Sequence, residues 1–478
     1  MLRTDVFTPS RFTSEGSIEL HGVKVPYHTV CEDNVFYDDE GKAIASLFSY
    51  SYFRSDVKDT SSRPVLFGFN GGPGTSSMMV HVGFLGTTRV KYGEVDDAGL
   101  PLPPYESCDN AQCLLDIADL VIIDPVGTGF GRLLDESKKD LFYGIEPDAE
   151  AILTFIQKWL DRYDRWKSPK YMVGESYGCT RASTVAGIGS LLGADRAYSV
   201  VFDGLILIGN TVTGRRFFHD FSPVYPAVLA FPTLAAVNWY HNHPSDQTVE
   251  EFVAEAKKFA DTEYLLALYQ GESLQGEARE HIIERVIYYT GVSREYLVNR
   301  DLVVEDVDFR SEVARNKGRS VARLDGRITR PIYEKEVDEH TWGQRDDPAE
   351  GKYNSFFQSV LCGEVFPKLN IRWDRNFVNS FTIYTKWNND IKGRNTAQCL
   401  SAAMRRTPGM RTFFINGWYD ICTQIGILYY TLDHSNLPKD RVFVKGYESG
   451  HMAYLGEENI QQVTDDMRTF ILGADPTK

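Results

Sequence analysis

The sequence predicts an α/β protein, in which a doubly wound, mainly parallel sheet carries an inserted, mostly helical region. Four short apolar runs of the buried parallel-strand type occur at residues 64–69, 120–124, 171–174 and 204–208. A helical pattern at 148–163 separates the second run from the third. Two further strand-like runs, 412–415 and 441–445, precede a last helical pattern at 457–472. Strands that alternate with helices indicate a parallel sheet covered on both faces.

The rest of the chain divides into two kinds of segment. Residues 17–53 alternate apolar and polar side chains around turn signals, which is typical of antiparallel strands at a sheet edge. Between residues 215 and 405 we find helical patterns, one of them after a capping-box signature at Thr248, and a highly charged segment at 301–344 that we expect to be exposed. We therefore predict one sheet domain made of residues 1–214 and 406–478, with residues 215–405 inserted as a lid.

Composition excludes several classes of function. The 478 residues carry a formal charge of −15, which repels phosphate backbones and anionic membranes, so we expect neither nucleic acid nor membrane as a partner. The seven cysteines form no CxxC pair and no zinc spacing, so we expect no metal and no cofactor. No apolar stretch is long enough to span a bilayer, and residues 1–12 lack the apolar core of a signal peptide. We expect reduced thiols and a cytoplasmic location.

A candidate nucleophile lies in the segment Gly174-Glu175-Ser176-Tyr177-Gly178, which fits the G-x-S-x-G elbow between a strand and a helix. An apolar run precedes it, and residues 180–186 can begin a helix after it. The glycines permit a sharp turn that leaves the serine oxygen in a cleft. A purely structural glycine-rich turn between strand and helix is the alternative interpretation.

A second glycine-rich loop, residues 70–74, follows the predicted strand that ends at Phe69. Such a loop can aim backbone N–H groups at a developing oxyanion, with the N–H of Tyr177 as the second donor. The rival hypothesis is a loop that cradles phosphate. The loop has no lysine in P-loop spacing and the chain has no GxGxxG, which disfavours a nucleotide site.

Asp420 and His451 are the candidate partners of Ser176. Asp420 follows the strand-like run 412–415, and His451 follows the run 441–445. This order, Ser then acid then His, is that of a catalytic triad on such a sheet, in which the His takes the serine proton and the acid orients the imidazole. Taken alone, either residue fits a surface Asp or a structural His better than a catalytic role, but the pair in this order favours catalysis.

Taken together, these segments resemble the serine carboxypeptidase family, the carboxypeptidase Y-like branch of the α/β hydrolases. Four stretches carry the resemblance: residues 70–77, 124–130, 174–178 and 450–452. Residues 416–420 resemble the family's acid-bearing loop more loosely. The resemblance implies an α/β-hydrolase fold with a lid, and release of single residues from peptide C-termini through an acyl-enzyme.

The resemblance also implies roles for individual residues. By the family's pattern Gly72 and Tyr177 supply the oxyanion-hole amides. Asn70 and a protonated Glu175 hydrogen-bond the terminal carboxylate of the substrate. A glutamic acid that stays protonated requires a raised pKa, which burial or a second carboxyl group provides.

Two departures from the family's pattern bear on specificity. Phe84 lies where family members usually carry a second glutamate, fourteen residues after Asn70, and Thr75 replaces the usual cysteine after Gly-Pro-Gly. The first change puts recognition of the terminal carboxylate at acidic pH in doubt. A cationic anchor at Arg181 or Arg89 is one possible substitute, because a guanidinium binds a carboxylate through two hydrogen bonds.

Three functions remain open on the sequence alone. The leading hypothesis is a serine-type carboxypeptidase that acts on peptides. The second is an esterase or acyltransferase that uses the same three residues on a small acyl substrate, and the third is a binding protein that has kept the fold and lost activity. Neither the preferred side chains nor the oligomeric state can be derived from the sequence.

Overall fold

The computed structural model describes residues 7–191, 199–212, 224–332, 347–372, 375–379, 383, 386–388 and 396–478. The strands are β1 (Arg11–Leu20), β2 (Val23–Tyr37), β3 (Ala43–Arg54), β4 (Val65–Phe69), β5 (Thr88–Val90), β6 (Ser107–Asp109), β7 (Asp119–Asp124), β8 (Arg132–Leu133), β9 (Lys170–Glu175), β10 (Gly204–Ile208), β11 (Arg319–Val321), β12 (Thr329–Pro331), β13 (Arg411–Gly417) and β14 (Val442–Tyr447).

The helices of the same residues are α1 (Met78–Val80), α2 (Ile145–Arg162), α3 (Tyr177–Leu191), α4 (Val224–Asn242), α5 (Val249–Phe259), α6 (Leu265–Gln270), α7 (Gly276–Thr290), α8 (Arg294–Asn299), α9 (Asp306–Glu312), α10 (Pro348–Val360), α11 (Phe366–Lys368), α12 (Thr396–Arg406), α13 (Ile425–His434) and α14 (Glu457–Ile471).

A ten-stranded sheet forms the centre of the molecule, in the order β1-β2-β3-β7-β4-β9-β10-β13-β14, with β8 paired to β3. β1, β2 and β3 run antiparallel and join β7 antiparallel, and every pairing from β7 to β14 is parallel. The structure confirms the doubly wound, mainly parallel sheet with antiparallel strands at one edge. The carboxyl ends of β4, β9, β10, β13 and β14 therefore lie along one side of the sheet, which we call the catalytic edge.

Both faces of this sheet are buried, which explains the unbroken apolar runs. Along β10, Ile206 and Ile208 join one apolar core, while Leu205 and Leu207 join the core on the opposite face. Side chains of a strand alternate between faces, so a strand buried on both sides needs an apolar residue at every position. α2, α3 and α12 cover one face, and α10 and α14 cover the other.

The described residues of the predicted insertion pack in two places. Helices α4–α9 share a third apolar core, which also contains Trp418 and Tyr419 next to the predicted catalytic acid. By contrast, α10 and α12 pack into the cores of the sheet. The expected capping box at Thr248 is confirmed, since its side chain and that of Glu251 exchange hydrogen bonds with each other's backbone.

The expectation that residues 301–344 are exposed is wrong for part of the segment. Residues 320–328 are buried except for Arg323 and Arg327, which are half-buried, and the short strands β11 and β12 flank them as an antiparallel hairpin. Residues 333–344 lie outside the described ranges. The charged side chains suggested a surface segment, but backbone contacts to the loops of the catalytic edge bury this hairpin.

Two observations bear on the environment of the chain. All seven cysteines fall within the described ranges, and each is a free thiol. Four of them are buried against apolar neighbours, including Cys31 and Cys179. Of the helices that the structure describes, none is long and apolar enough to cross a bilayer.

Candidate active site

Ser176 occupies a sharp turn between β9 and α3, as the elbow motif predicts. Its φ of 58° lies in the left-handed region, which a serine adopts only under local constraint. Its N–H donates to the carbonyl of Ile208 at 2.8 Å, and its carbonyl accepts from Thr211 Oγ1 at 2.7 Å. A Cβ on Gly174 would approach the carbonyl oxygen of Gly178 to 2.3 Å, so the turn requires glycine there. The serine side chain remains partly exposed.

Asp420 and His451 form a buried hydrogen-bonded pair. Nδ1 of His451 donates to Oδ2 of Asp420 at 2.8 Å, and Asp420 is fully buried. The other oxygen of Asp420 accepts from the backbone N–H groups of Cys422 and Thr423, each at 2.9 Å. The hydroxyl of Thr423 also donates to Asp420 and lies 3.1 Å from Nδ1 of His451. Sequence reasoning missed Thr423, which lacks a motif of its own.

The electrostatic environment of His451 suits a general base. Burial alone would lower the pKa of its imidazole, but the charge and hydrogen bond of Asp420, with a further contribution from Glu175, raise this pKa above its ordinary value. An imidazole whose pKa lies near the working pH is an effective proton acceptor. The hydrogen bond from Nδ1 directs the other ring nitrogen, Nε2, away from Asp420.

Ser176 and His451 lie beside two adjacent residues, Ile208 and Gly209, at the catalytic edge. A Cβ on Gly209 would lie 3.0 Å from Cε1 of His451, and Gly209 directly follows Ile208, whose carbonyl holds the N–H of Ser176. No hydrogen bond joins Ser176 Oγ to His451, both of which the structure describes. Catalytic hydrogen bonds of unliganded enzymes are often open and close only with substrate. The structure therefore brings Ser176, Asp420 and His451 to one edge of the sheet, but the hydrogen bond between Ser176 Oγ and His451 is not formed.

The glycine-rich loop after β4 lies directly against the elbow. A Cβ on Gly71 would approach the backbone nitrogen of Tyr177 to 2.3 Å, so only glycine permits this packing. Gly72 follows with a φ of 106°, which also favours glycine. Tyr177 is the first residue of α3, and the first N–H groups of a helix have no intrahelical acceptor. The predicted oxyanion donors, Gly72 and Tyr177, therefore belong to two adjoining backbone segments.

Residues 124–130 are one of the stretches that carry the family resemblance. Their first residue, Asp124, ends β7 and anchors the glycine-rich loop that follows the neighbouring strand β4. Its carboxylate accepts from the backbone N–H of Ser77 at 2.7 Å and from the hydroxyl of Tyr50 at 3.0 Å. Burial raises the pKa of Asp124 to about 6. A Cβ on Gly129 would lie 1.9 Å from this carboxylate. Residues 124–130 thus hold the glycine-rich loop against the sheet, a role that the sequence did not reveal.

Asn70 and Glu175 form a buried, hydrogen-bonded network with a residue that sequence reasoning missed. The side-chain amide of Asn70 donates to Oε1 of Glu175 at 2.5 Å, and the hydroxyl of Tyr454 donates to Oε2 at 2.6 Å. Burial raises the pKa of Glu175 to about 7, although the charge of His451 and both hydrogen bonds oppose the shift. The ring of Phe84 packs on that of Tyr454 with centroids 4.3 Å apart. By the family's pattern, Glu175 would be paired with a second glutamate at position 84. Phe84 stands at that position instead, and Tyr454 contacts Glu175.

The two arginines considered as cationic anchors are already paired. Arg181 is buried, and its guanidinium donates to Oδ2 of Asp148 at 2.7 Å and to the carbonyl of Asn70 at 2.6 Å. Arg89 binds both carboxylate oxygens of Glu457, at 3.0 and 2.6 Å. The suggestion that either one binds the substrate's carboxylate is wrong, because both guanidinium groups serve to hold the fold together.

The side chains of Asp420, Cys422 and His451 also lie close enough to be considered as metal ligands, with one possible ligand atom from each within 4.8 Å of the others. However, the oxygens of Asp420 already accept hydrogen bonds from two backbone N–H groups, the Thr423 hydroxyl and the imidazole. A carboxylate satisfied in this way fits an imidazole-orienting role better than a metal site.

Comparisons with known proteins agree with this geometry. Serine carboxypeptidase-like 36 of Arabidopsis thaliana is 32% identical over 178 residues, which are 37% of this chain and 34% of that protein. Serine carboxypeptidase-like 29 of the same plant is 32% identical over 130 residues, 25% of this chain and 24% of that protein. The chain thus spans about a third or less of the length of these curated relatives.

A solved structure confirms the predicted α/β-hydrolase fold. Kex1Δp, a prohormone-processing carboxypeptidase from Saccharomyces cerevisiae, matches with a TM-score of 0.55 at 14% identity, covering 93% of this chain and 92% of that chain. The model of the serine carboxypeptidase family matches residues 36–464. Because this match spans most of the sequence, the chain belongs to the serine carboxypeptidase family.

Proposed function

We propose that this chain is a serine-type carboxypeptidase, which releases C-terminal residues from peptides through an acyl-enzyme on Ser176. The observation that carries the proposal is the buried Asp420–His451 hydrogen bond of 2.8 Å at the edge that also holds the strained elbow serine. Membership of the serine carboxypeptidase family over residues 36–464 supports the same activity.

In the proposed mechanism, Ser176 Oγ attacks the carbonyl carbon of the last peptide bond while Nε2 of His451 takes the hydroxyl proton. The carbonyl oxygen becomes an oxyanion, which the N–H groups of Gly72 and Tyr177 stabilise. His451 then returns the proton to the leaving amine as the C–N bond breaks. Water attacks the resulting ester by the same steps, and Asp420 stabilises the imidazolium in both halves of the reaction.

Recognition of the substrate's C-terminus involves the Asn70–Glu175–Tyr454 network in this proposal. A protonated Glu175 carries no charge to repel a carboxylate, and its raised pKa of about 7 keeps it protonated in mildly acidic solution. A charged Glu175 opposes binding of a carboxylate above that pH. The hydroxyl of Tyr454, 2.6 Å from Glu175, supplies the hydrogen bond that a second carboxyl group would otherwise make.

The proposal is tested by covalent labelling and by hydrolysis of two matched substrates. A biotinylated organophosphonate should label wild type but not Ser176→Ala. N-blocked dipeptides with a free C-terminus should be hydrolysed with much higher kcat/KM than the same dipeptides as C-terminal amides. Labelling without any preference for the free C-terminus would assign the chain to esterases or acyltransferases instead, and absence of labelling would leave only a binding function.

We further propose that the enzyme works in the cytoplasm. The seven free thiols are compatible with a reducing compartment. Fractionation of cells that express the full-length protein tests this location. Recovery with secreted or vacuolar markers would contradict it.

A further inference from the structure

Arg323 lies in the loop between β11 and β12, and this loop packs directly on the catalytic edge. The carbonyl of Leu324 accepts the backbone N–H of His451 at 2.6 Å. The N–H of Gly326 donates to the carbonyl of Tyr419, the residue before Asp420, at 2.8 Å. The backbone around Arg323 is therefore tied to both loops that carry the proposed proton-transfer pair.

The side chain of Arg323 differs in its partners from the other arginines around the site. Arg181, Arg89 and Arg327 each form an ion pair, with Asp148, Glu457 and Asp325 respectively, at distances of 2.7, 2.6 and 2.7 Å. Arg323 instead donates from Nη1 to the sulfur of Cys422 at 2.7 Å, and within the described ranges its guanidinium forms no ion pair with a carboxylate. No carboxylate of the described residues therefore occupies this guanidinium directly.

The remaining donors of Arg323 are available to a ligand. Its Nε and Nη2 groups have no hydrogen-bond partner among the residues described, and neither is enclosed by the protein. A guanidinium presents its N–H groups as a rigid fork that matches the two oxygens of a carboxylate. The Cys422 sulfur and the charges of Asp347 and Glu350 raise the pKa of Arg323, so this fork is permanently charged.

The guanidinium of Arg323 also lies near His451, the proposed general base. The Cys422 sulfur is within 4.8 Å of a ring nitrogen of His451, and Arg323 Nη1 is 2.7 Å from that sulfur. One extended residue spans about 3.3–3.6 Å, which is similar to each of these two distances. A carboxylate one residue away from the scissile bond can therefore reach the guanidinium of Arg323.

We propose that Arg323 binds a carboxylate of the peptide substrate through its guanidinium fork and thereby sets the enzyme's specificity. The carboxylate belongs either to the C-terminus itself or to an acidic side chain beside the scissile bond, since both present the same two oxygens to the fork. The inference rests on the proposed function and assigns to it a residue from the inserted region.

The experiment compares Arg323→Gln with Arg319→Gln on matched substrates. Arg319 is a suitable control because it lies on β11 of the same hairpin and donates to Thr329, so its replacement removes an equal charge away from the site. The substrates are N-blocked dipeptides with a free C-terminus, the same dipeptides as C-terminal amides, and versions with Glu or Gln at each position. Titration with the organophosphonate counts functional sites in every variant.

Loss of one charge-assisted recognition site corresponds to about a 10- to 100-fold fall in kcat/KM. For R323Q we expect this fall mainly in KM, and only for substrates that carry the recognised carboxylate. A fall confined to free C-termini identifies the terminal carboxylate, whereas a fall confined to Glu over Gln identifies an acidic side chain. R319Q should match wild type on all substrates.

An equal change for charged and neutral substrates in R323Q would overturn the inference. Arg323→Lys provides a second test if the glutamine variant is poorly folded, because it keeps the charge and loses the fork. The preference of this lysine variant for the carboxylate substrate should lie several-fold below that of wild type. An unchanged preference would contradict binding of the carboxylate through two hydrogen bonds of the guanidinium. Wild type without carboxypeptidase activity would refute the proposed function instead, which is a separate result.

Discussion

The catalytic edge of the sheet and the β11–β12 hairpin both contact His451, yet they differ in how the sequence specifies them. At the edge, Ser176 directly follows the buried strand β9 and Asp420 lies in the short loop after β13, so local sequence positions both residues. The hairpin reaches His451 through a carbonyl contact from Leu324, more than a hundred residues away in sequence. This difference teaches that the positions of the proposed catalytic residues are encoded locally, whereas the contact of the hairpin with His451 depends on long-range packing.

The largest effect that tests this comparison is expected at Asp420. Asp420→Asn keeps the size of the side chain but cannot hold the imidazole in the tautomer that leaves Nε2 ready to accept the serine proton. We expect kcat to fall by about 10⁴-fold with little change in KM. Steady-state kinetics on a blocked dipeptide measure this. Asp440→Asn, at an exposed position, is the control, and a loss below tenfold at Asp420 would remove it from the triad.

A large effect on stability is expected at Gly129. A Cβ at this position would lie 1.9 Å from the Asp124 carboxylate, and the glycine has a φ of 53°. Gly129→Ala must therefore displace a buried group that holds Ser77 and Tyr50, and we expect a loss of about 3 kcal/mol in the free energy of unfolding. Urea denaturation measures it.

Gly93→Ala is the matched control for that substitution, because Gly93 is exposed and a Cβ there would meet no atom within 4 Å. Its free energy of unfolding should remain within about 0.5 kcal/mol of wild type. Equal stability of the Gly129 and Gly93 variants would contradict the structural role of residues 124–130.

A pH-dependent effect is expected at Glu175. Because its pKa is raised to about 7, the neutral form binds a carboxylate below that pH, and the charged form repels it above. For wild type we expect kcat/KM on free C-termini to fall as the pH rises through about 7, whereas amides should not show this fall. Glu175→Gln stays neutral, so its profile on free C-termini should lack the descending limb. A variant profile identical to that of wild type would exclude Glu175 as the titrating group.

The smallest effect is expected at Tyr454. The hydrogen bond from its hydroxyl stabilises the charged form of Glu175 and so lowers that pKa. Tyr454→Phe should therefore move the descending limb for free C-termini to higher pH, by less than one pH unit. Phe84→Leu, which leaves the hydroxyl in place, is the control that separates loss of ring packing from loss of the hydrogen bond. A limb that moves to lower pH would reverse the assigned role of Tyr454.

Much of the fold could be predicted from the sequence because the sheet is buried on both faces. Residues 204–208, for example, coincide with β10, since a strand with apolar side chains on both faces gives an unbroken run. The capping box at Thr248 was equally readable, because its partner lies three residues away. Residues 320–328 were not, since their charged neighbours concealed a segment buried by backbone contacts to the catalytic edge.

The candidate site divides in the same way. Ser176, Asp420 and His451 each adjoin a strand end and a short string, so local pattern and chain order were enough to find them. Tyr454 and Arg323 have no such signal, because their roles depend on which residues the fold brings into contact with them. Tyr454 follows His451 by only three residues, but its contact with the ring of Phe84 is visible only in the folded structure.

Mass spectrometry of a mixed peptide pool incubated with the enzyme tests the central claim most directly. Wild type should shorten peptides from the C-terminus by one residue at a time, and it should carry a transient acyl adduct on the peptide that contains Ser176. Ser176→Ala should leave the pool unchanged. Internal cleavage by wild type, or C-terminal shortening that persists in the serine variant, would contradict the account.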